Sequence, residues 1–289
     1  MAEVYASDAA GESLLVRVLA ANPSPMTAQG TNSYVIGTSD LAVIDPGPAL
    51  VSHLDALDAV IAGRPVRAIL VTHAHLDHAP AAAILARRTG GPVLAFGLLP
   101  ADHAADAIGG GEGVDRAFRP DRALADGDTV SGTGWTLRAL HTPGHMPDHL
   151  SFHWAETNTT FTGDTVMGWA STMISPPEGD LGAFYGSLDI LEDLAARRFY
   201  PGHGATVDAP AERCQALRAH RRARTEAILA ALPEAPTIPD LVRGIYAETP
   251  PALHGAAARN VLAHLLQLAK DGCVRADPAP GTRARWYLI

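Results

Sequence analysis

Residues Thr72 to His78 read Thr-His-Ala-His-Leu-Asp-His, three histidines and an aspartate within six positions. Ala68-Ile69-Leu70-Val71, just before it, is a short apolar run that predicts a buried parallel strand. The alanine-rich segment from His78 to Arg88 predicts a helix, with Pro80 tolerated in its first turn. The motif is therefore a loop that leaves the carboxyl end of a strand and enters a helix, the edge at which α/β folds bind ligands. His73 and His75 are two apart and leave an extended loop on the same side. Asp77 and His78 come at the turn into the helix and face a second point beside the first. Two histidines for one metal ion, and an aspartate with a histidine for a neighbouring ion, follow from this spacing. Neutral imidazole and carboxylate suit zinc and, less selectively, iron or manganese.

The rest of the chain predicts further strand-end loops of the same kind. Leu14 to Leu19 reads as an edge strand, Tyr34-Val35-Ile36 and Leu41 to Ile44 as a hairpin pair, and Asp45-Pro46-Gly47 as the turn that ends it. Ser52 to Ala62 is a helix, Val93 to Ala95 a short strand, and Leu98 to Val114, with His103, loop and short helix. Trp135 to Leu140 is a strand that leads into His141-Thr-Pro-Gly-His145-Met-Pro-Asp148-His149, where Pro143 and Gly144 form a turn aiming a side chain inward. His149 opens the next strand and reads as structural. Thr160 to Asp164 is a strand followed by glycine and aspartate, and an aspartate there can bridge two ions with its two oxygens. After an amphipathic helix over 180–198, Phe199-Tyr200 and the turn Pro201-Gly202-His203-Gly204 deliver one more histidine.

The Thr72–His78 stretch resembles the His-x-His-x-Asp-His motif of the metallo-β-lactamase superfamily, and the later loops follow in that superfamily's order. The resemblance implies an αββα sandwich in the α/β class and a dinuclear centre. One ion would be held by His73, His75, His145 and bridging Asp164, the other by Asp77, His78, His203 and Asp164. It also implies that Asp45 supports the first metal-binding loop; Asp148 and His149, from their own positions in the chain, are read as further residues behind the ligands. Two zinc ions, with iron or manganese as alternatives, would hold a bridging hydroxide as nucleophile, oriented by Asp77 as the catalytic residue.

Residues 1–209 are expected to form this catalytic domain and residues 210–289 a smaller one. The second part predicts three helices and a β-hairpin, a winged-helix pattern. Leu241-Val-Arg-Gly-Ile-Tyr, Asn260-Val-Leu-Ala-His-Leu-Leu and Tyr200-Pro-Gly-His-Gly resemble the lactamase-beta-like-2 group, which includes a single-stranded RNA endonuclease. Charge is divided accordingly. Residues 1–204 carry 11 basic and 23 acidic side chains, net −12, and residues 205–289 carry 11 and 8, net +3. Arg213, Arg218, Arg221, Arg222 and Arg224 fall on one predicted helix, which hints at an anionic partner. The other use of this part is packing on the core or forming a homodimer.

With 47% hydrophobic and 18% charged residues, no apolar run of 18, no secretory pattern at Met1–Arg17 and two distant cysteines, Cys214 and Cys273, the expectation is a reduced cytoplasmic protein without membrane spans. Three functions fit. The first is a hydrolase of single-stranded RNA. The second is a hydrolase of a small ester, thioester or lactone, of the glyoxalase-II-like kind. The third is a metal-sensing winged-helix regulator that binds nucleic acid, which the complete ligand set disfavours.

Overall fold

The computed structural model describes residues 2–5, 15–97 and 113–289, so most of the segment 98–114, His103 included, lies outside the described residues. Period-two patterning builds the centre. In β3 (Asn32–Ile36) and β4 (Leu41–Ile44), Tyr34, Ile36, Ala42 and Ile44 point to one face, and Val35, Leu41 and Val43 to the other. Both faces are covered, which is why both sets are apolar. These strands belong to a seven-stranded sheet in which neighbours follow chain order: β1 (Ala2–Tyr5), β2 (Leu15–Leu19), β3, β4, β5 (Val66–Leu70), β6 (Val93–Ala95) and β7 (Arg122–Ala123). Pairing is antiparallel from β1 to β4 and parallel from β4 to β7.

A second, five-stranded sheet runs β12 (Arg198–Pro201), β11 (Thr159–Gly163), β10 (Leu150–Trp154), β9 (Trp135–His141), β8 (Thr129–Gly132). Only its β11/β12 pair is parallel. The inner faces of the two sheets meet through Leu15, Ile44, Leu70, Trp135, Phe152 and Phe161. The outer face of the first sheet is covered by α1 (Val51–Ile61) and α2 (Ala81–Thr89), and that of the second by α3 (Leu181–Asp193) and the first half of α4 (Pro210–Ala231). The result is four layers, helix–sheet–sheet–helix.

Three sequence expectations change. Leu15–Leu19 is an interior strand, because β1 pairs along its outer side from Ala2↔Val18 to Tyr5↔Leu15. A hairpin partner for β9, the half-exposed strand β8, stands where no strand was expected. The helix expected over 180–198 stops at Asp193, with Asp180 capping it through the Ala183 N–H (2.9 Å).

Beyond α4, α5 (Ile238–Ile245), α6 (His254–Lys270) and the hairpin of β13 (Val274–Asp277) and β14 (Arg285–Leu288) pack around Leu241, Val261, Leu265 and Trp286. Thr237 caps α5 through the Asp240 N–H. Helix α4 serves two cores. Cys214 and Leu217 pack with Phe184 and Leu188, whereas Ile228 and Leu232 pack with Val261 and Trp286.

This double duty corrects the reading of the α4 arginines as a phosphate-facing cluster. Arg213 donates to the carbonyls of Met167 (2.7 Å) and Ala170 (2.6 Å). Arg218 pairs with Asp189 (2.6 Å) and Glu192 (2.9 Å) of α3. Arg221 is 2% exposed and Arg224 lies over the Tyr246 ring, 4.1 Å from its centroid. Four of the five guanidinium groups are engaged by partners within the chain, on a helix that still keeps an exposed polar face.

Candidate metal centre

The seven expected ligands come from four loops, three of them at the ends of β5, β9 and β11 and the fourth just past β12. The structure gathers all seven. His73 Nε2 and His75 Nδ1 are 2.9 Å apart, and His145 Nε2 is 3.1 Å from the same His75 nitrogen. Beside this group, His203 Nε2 lies 3.3 Å from His78 Nε2 and 3.2 Å from Asp77 Oδ2. Asp164 stands between them. Its Oδ2 is 3.3 Å from His203 Nε2 and 3.7 Å from His145 Nε2, and its Oδ1 is 3.5 Å from His78 Nε2.

Hydrogen bonds behind the rings fix which nitrogen carries the proton. His78 Nδ1–H donates to Asp45 Oδ2 (2.9 Å), His145 Nδ1–H to the Met173 carbonyl (2.8 Å) and His203 Nδ1–H to the Gly30 carbonyl (3.2 Å). The Thr72 hydroxyl donates to Asp45 Oδ2 (2.8 Å) and so accepts from His73 Nδ1–H (2.9 Å). In its neutral form each of these four imidazoles therefore turns its unprotonated nitrogen toward the common space, the arrangement that ligating histidines take when their other nitrogen is held.

Asp45 touches no shared lone pair itself. It accepts the Thr72 N–H (2.7 Å), the Thr72 hydroxyl and His78, and holds a left-handed φ of +48° to do so. That conformation costs a non-glycine residue about 1–2 kcal/mol, which three hydrogen bonds to one carboxylate offset. Asp148 accepts the Ala74 N–H (3.0 Å) between His73 and His75, and burial raises its pKa to about 6. His149 lies behind the cluster, stacked on His73, and its Nε2 accepts the Asp164 N–H (3.1 Å).

The electrostatics divide the cluster in two. Burial, and then the neighbouring histidines, hold His73 well below its ordinary pKa, and His75 falls to about 3 for the same reasons. Burial also opposes charge on His78 and His203. There the carboxylates outweigh it: Asp77, Asp164 and Asp45 raise His78 to about 9, and Asp164 and Asp77 raise His203 to about 11. Asp77 and Asp164 are held low in turn, against burial, by those imidazoles. The carboxylates that favour a proton on His78 and His203 would equally favour a metal cation in its place. The donor set, all imidazole nitrogen and carboxylate oxygen, fits transition-metal ions of the zinc type.

Sequence reasoning missed the groups that hold this geometry without being ligands. Thr31 bridges to the His203 backbone, and its hydroxyl reaches Asp77 Oδ2 (3.4 Å). Asn32 Nδ2 donates to the carbonyls of Pro201 and Gly204, both at 3.0 Å. The Gly30-Thr-Asn-Ser-Tyr run was the signal for these residues. The carbonyls of Gly30 and Met173 have none, because a backbone acceptor leaves no mark in a sequence.

A family model described as the metallo-beta-lactamase superfamily matches residues 26–203. The chain belongs to the metallo-beta-lactamase superfamily. A second model, the beta-lactamase associated winged helix domain, matches residues 237–286, so this superfamily member carries a C-terminal winged-helix domain. A beta-lactamase-like protein 2 homolog from Caenorhabditis elegans is 34% identical over 90% of this chain and 85% of its own length. An atrochrysone carboxyl ACP thioesterase from Aspergillus chevalieri is 33% identical over 95% of this chain and 87% of its own. The crystal structure of a metallo-beta-lactamase family protein from Thermus thermophilus superposes with a TM-score of 0.75 at 25% identity, covering 95% of this chain and 98% of that one. The superfamily and these relatives make the protein a metal-dependent hydrolase. No helix among the described residues is long and apolar enough to cross a membrane.

Proposed function

We propose that the protein is a dinuclear-metal hydrolase of a small thioester or ester whose acyl group is apolar. His73, His75 and His145 would hold one ion and Asp77, His78 and His203 the other, with Asp164 offering an oxygen to each. Zinc is the first candidate, with iron or manganese as alternatives for the same donors. Residues 1–209 form the catalytic domain and residues 210–289 the winged-helix part, with α4 shared between their cores.

When bound, two ions would lower the pKa of water toward neutrality and polarise the scissile carbonyl. The chain's own residues do the rest. Asp77 holds one oxygen toward the cluster, steadied by the Thr31 hydroxyl, and is placed to accept a proton from attacking water. Asp45 and Thr72 keep His73 and His78 in one tautomer, and the buried surroundings strengthen every charge interaction in the cluster.

The rim of the site carries the choice of substrate. Among the described residues seven large apolar side chains are exposed, and three of them belong to segments that carry or adjoin the ligands: Leu76 at 53%, Trp169 at 45% and Met26 at 44%. Leu76 stands between His75 and Asp77. A side chain on Gly204, next to His203, would meet Trp169 Cδ1 at 2.5 Å, so the indole lies directly on that turn. Met26 belongs to the loop that ends in Thr31. Exposed apolar surface gathered at a reaction centre favours an apolar acyl group, and the inward arginines leave little for an RNA backbone, whose binding rests on phosphate contacts. The fungal thioesterase relative supports the same class.

A graded acyl series tests the reading. Replacing Trp169 with alanine should lower kcat/KM about 10-fold for a long or aromatic acyl thioester, since about 60 Å² of lost apolar contact is worth roughly 1.5 kcal/mol. An acetyl thioester should be nearly unaffected. Equal losses across the series, or cleavage of single-stranded RNA faster than any thioester, would contradict it.

A further inference from the structure

The winged-helix side of the molecule reaches the metal cluster through three consecutive residues. Thr172 O accepts from Arg221 Nη2, Met173 O accepts from His145 Nδ1 (2.8 Å), and Ile174 N donates to Asn260 Oδ1 (3.3 Å). The Thr172 hydroxyl also donates to the Asp164 carbonyl (2.5 Å). Arg221 Nη1 and Asn260 Oδ1 are themselves 2.9 Å apart, so α4 and α6 grip the segment together. A second route runs through Phe184. Its ring lies 5.7 Å from the Arg221 guanidinium carbon, and a side chain on Gly144, one residue before His145, would meet the Phe184 Cα at 2.4 Å.

We propose that Arg221 and Asn260 are positioning residues for the metal centre, setting His145 and Asp164 through the 172–174 segment, so that the winged-helix part completes the catalytic site. This rests on the reading that His145 and Asp164 hold metal.

Packing alone does not account for Arg221. It is buried, no carboxylate pairs with it among the described residues, and its Nε has no acceptor. A buried cation in that state is costly, and an apolar side chain of similar volume would seal the same gap at less expense. What an apolar residue cannot do is span two separated acceptors with a planar fork. The acceptors Arg221 spans are the carbonyl next to the one that holds His145 and the amide oxygen that receives the Ile174 N–H. Holding the Met173 carbonyl fixed keeps His145 in the tautomer that turns Nε2 inward, and orienting contacts of this kind are worth about 10–100-fold in metal affinity.

The test is Zn²⁺ affinity, measured on metal-stripped protein by competition with a chromophoric chelator, with chemical denaturation as a separate readout of stability. Arg221→Met and Asn260→Ala should each weaken one of two Zn²⁺ ions by about 10–100-fold. Arg221→Lys, which keeps one donor, should fall between them and the wild type. Arg218→Met, on the same helix, loses its pairs with Asp189 and Glu192 and should change stability without changing Zn²⁺ affinity. Folded Arg221→Met and Asn260→Ala with the wild-type affinity would overturn the proposal. Should Arg221→Met not fold, the half-buried Asn260→Ala decides alone. A wild-type protein that binds no Zn²⁺ would instead overturn the metal reading, and this inference with it.

Discussion

Asp164→Ala should cost turnover well beyond the 10–100-fold expected of residues that merely orient ligands, and at least one ion should be lost. Among the described residues Asp164 is the one side chain with oxygens near both halves of the cluster, 3.7 Å from His145 and 3.3 Å from His203. Its removal leaves two incomplete ligand sets and takes away one of the carboxylates that face His78 and His203. The fold should survive, because the anchoring contacts of residue 164 are main-chain: its N–H to His149 Nε2 and its carbonyl to the Thr172 hydroxyl. Asp45→Asn gives the comparison. It weakens the grip on Thr72 and His78 without removing a ligand and should stay within the 10–100-fold range. Steady-state kinetics with metal analysis on both variants checks the ranking, and equal losses would show that the assignment of ligand and support is wrong.

Gly202→Ala should be nearly as damaging although it removes nothing. A methyl group there would sit 2.5 Å from Asp164 Oδ1, 2.7 Å from His78 Cε1 and 3.3 Å from the Gly163 carbonyl carbon. Neither side chain can retreat freely, since His78 is held by Asp45 and Asp164 is hemmed in by three histidines. Overpacking of this kind costs about 1–3 kcal/mol in stability. The larger effect falls on ligand geometry, where a shift on the order of 1 Å can cost about 100-fold in rate. Metal content near wild type together with unchanged kcat would show that the turn yields and the cluster does not.

The cluster was legible in the sequence because each ligand sits at or just beyond a strand end, beside residues that themselves signal a turn: Asp77 before the Pro80 helix start, His145 after Pro143-Gly144, Asp164 after Gly163, His203 after Pro201-Gly202. Chemistry and backbone signal coincide there. The supports were legible only where a side chain carries them, as with Asp45, and not where a carbonyl does, as with Gly30 and Met173. Among the strands that went unread, β8 and β1 did so for a related reason. β8 reads Thr-Val-Ser-Gly with half-exposed positions, and β1 is four residues long, so neither gives an apolar alternation strong enough to separate from a loop. The arginines of α4 misled because a charge count along a helix says nothing about which face is covered. Arg221 points into contacts 39 positions further on, at Asn260, and 49 back, at Thr172, and no local pattern encodes them.

The central claim is that the buried histidine–aspartate cluster holds two metal ions. The most direct measurement is the metal-to-protein ratio of the purified, reconstituted protein by elemental analysis. The account predicts close to two transition-metal ions per chain, falling to one or none in Asp164→Ala. A ratio near zero in the wild type after reconstitution, with hydrolytic activity intact, would contradict it.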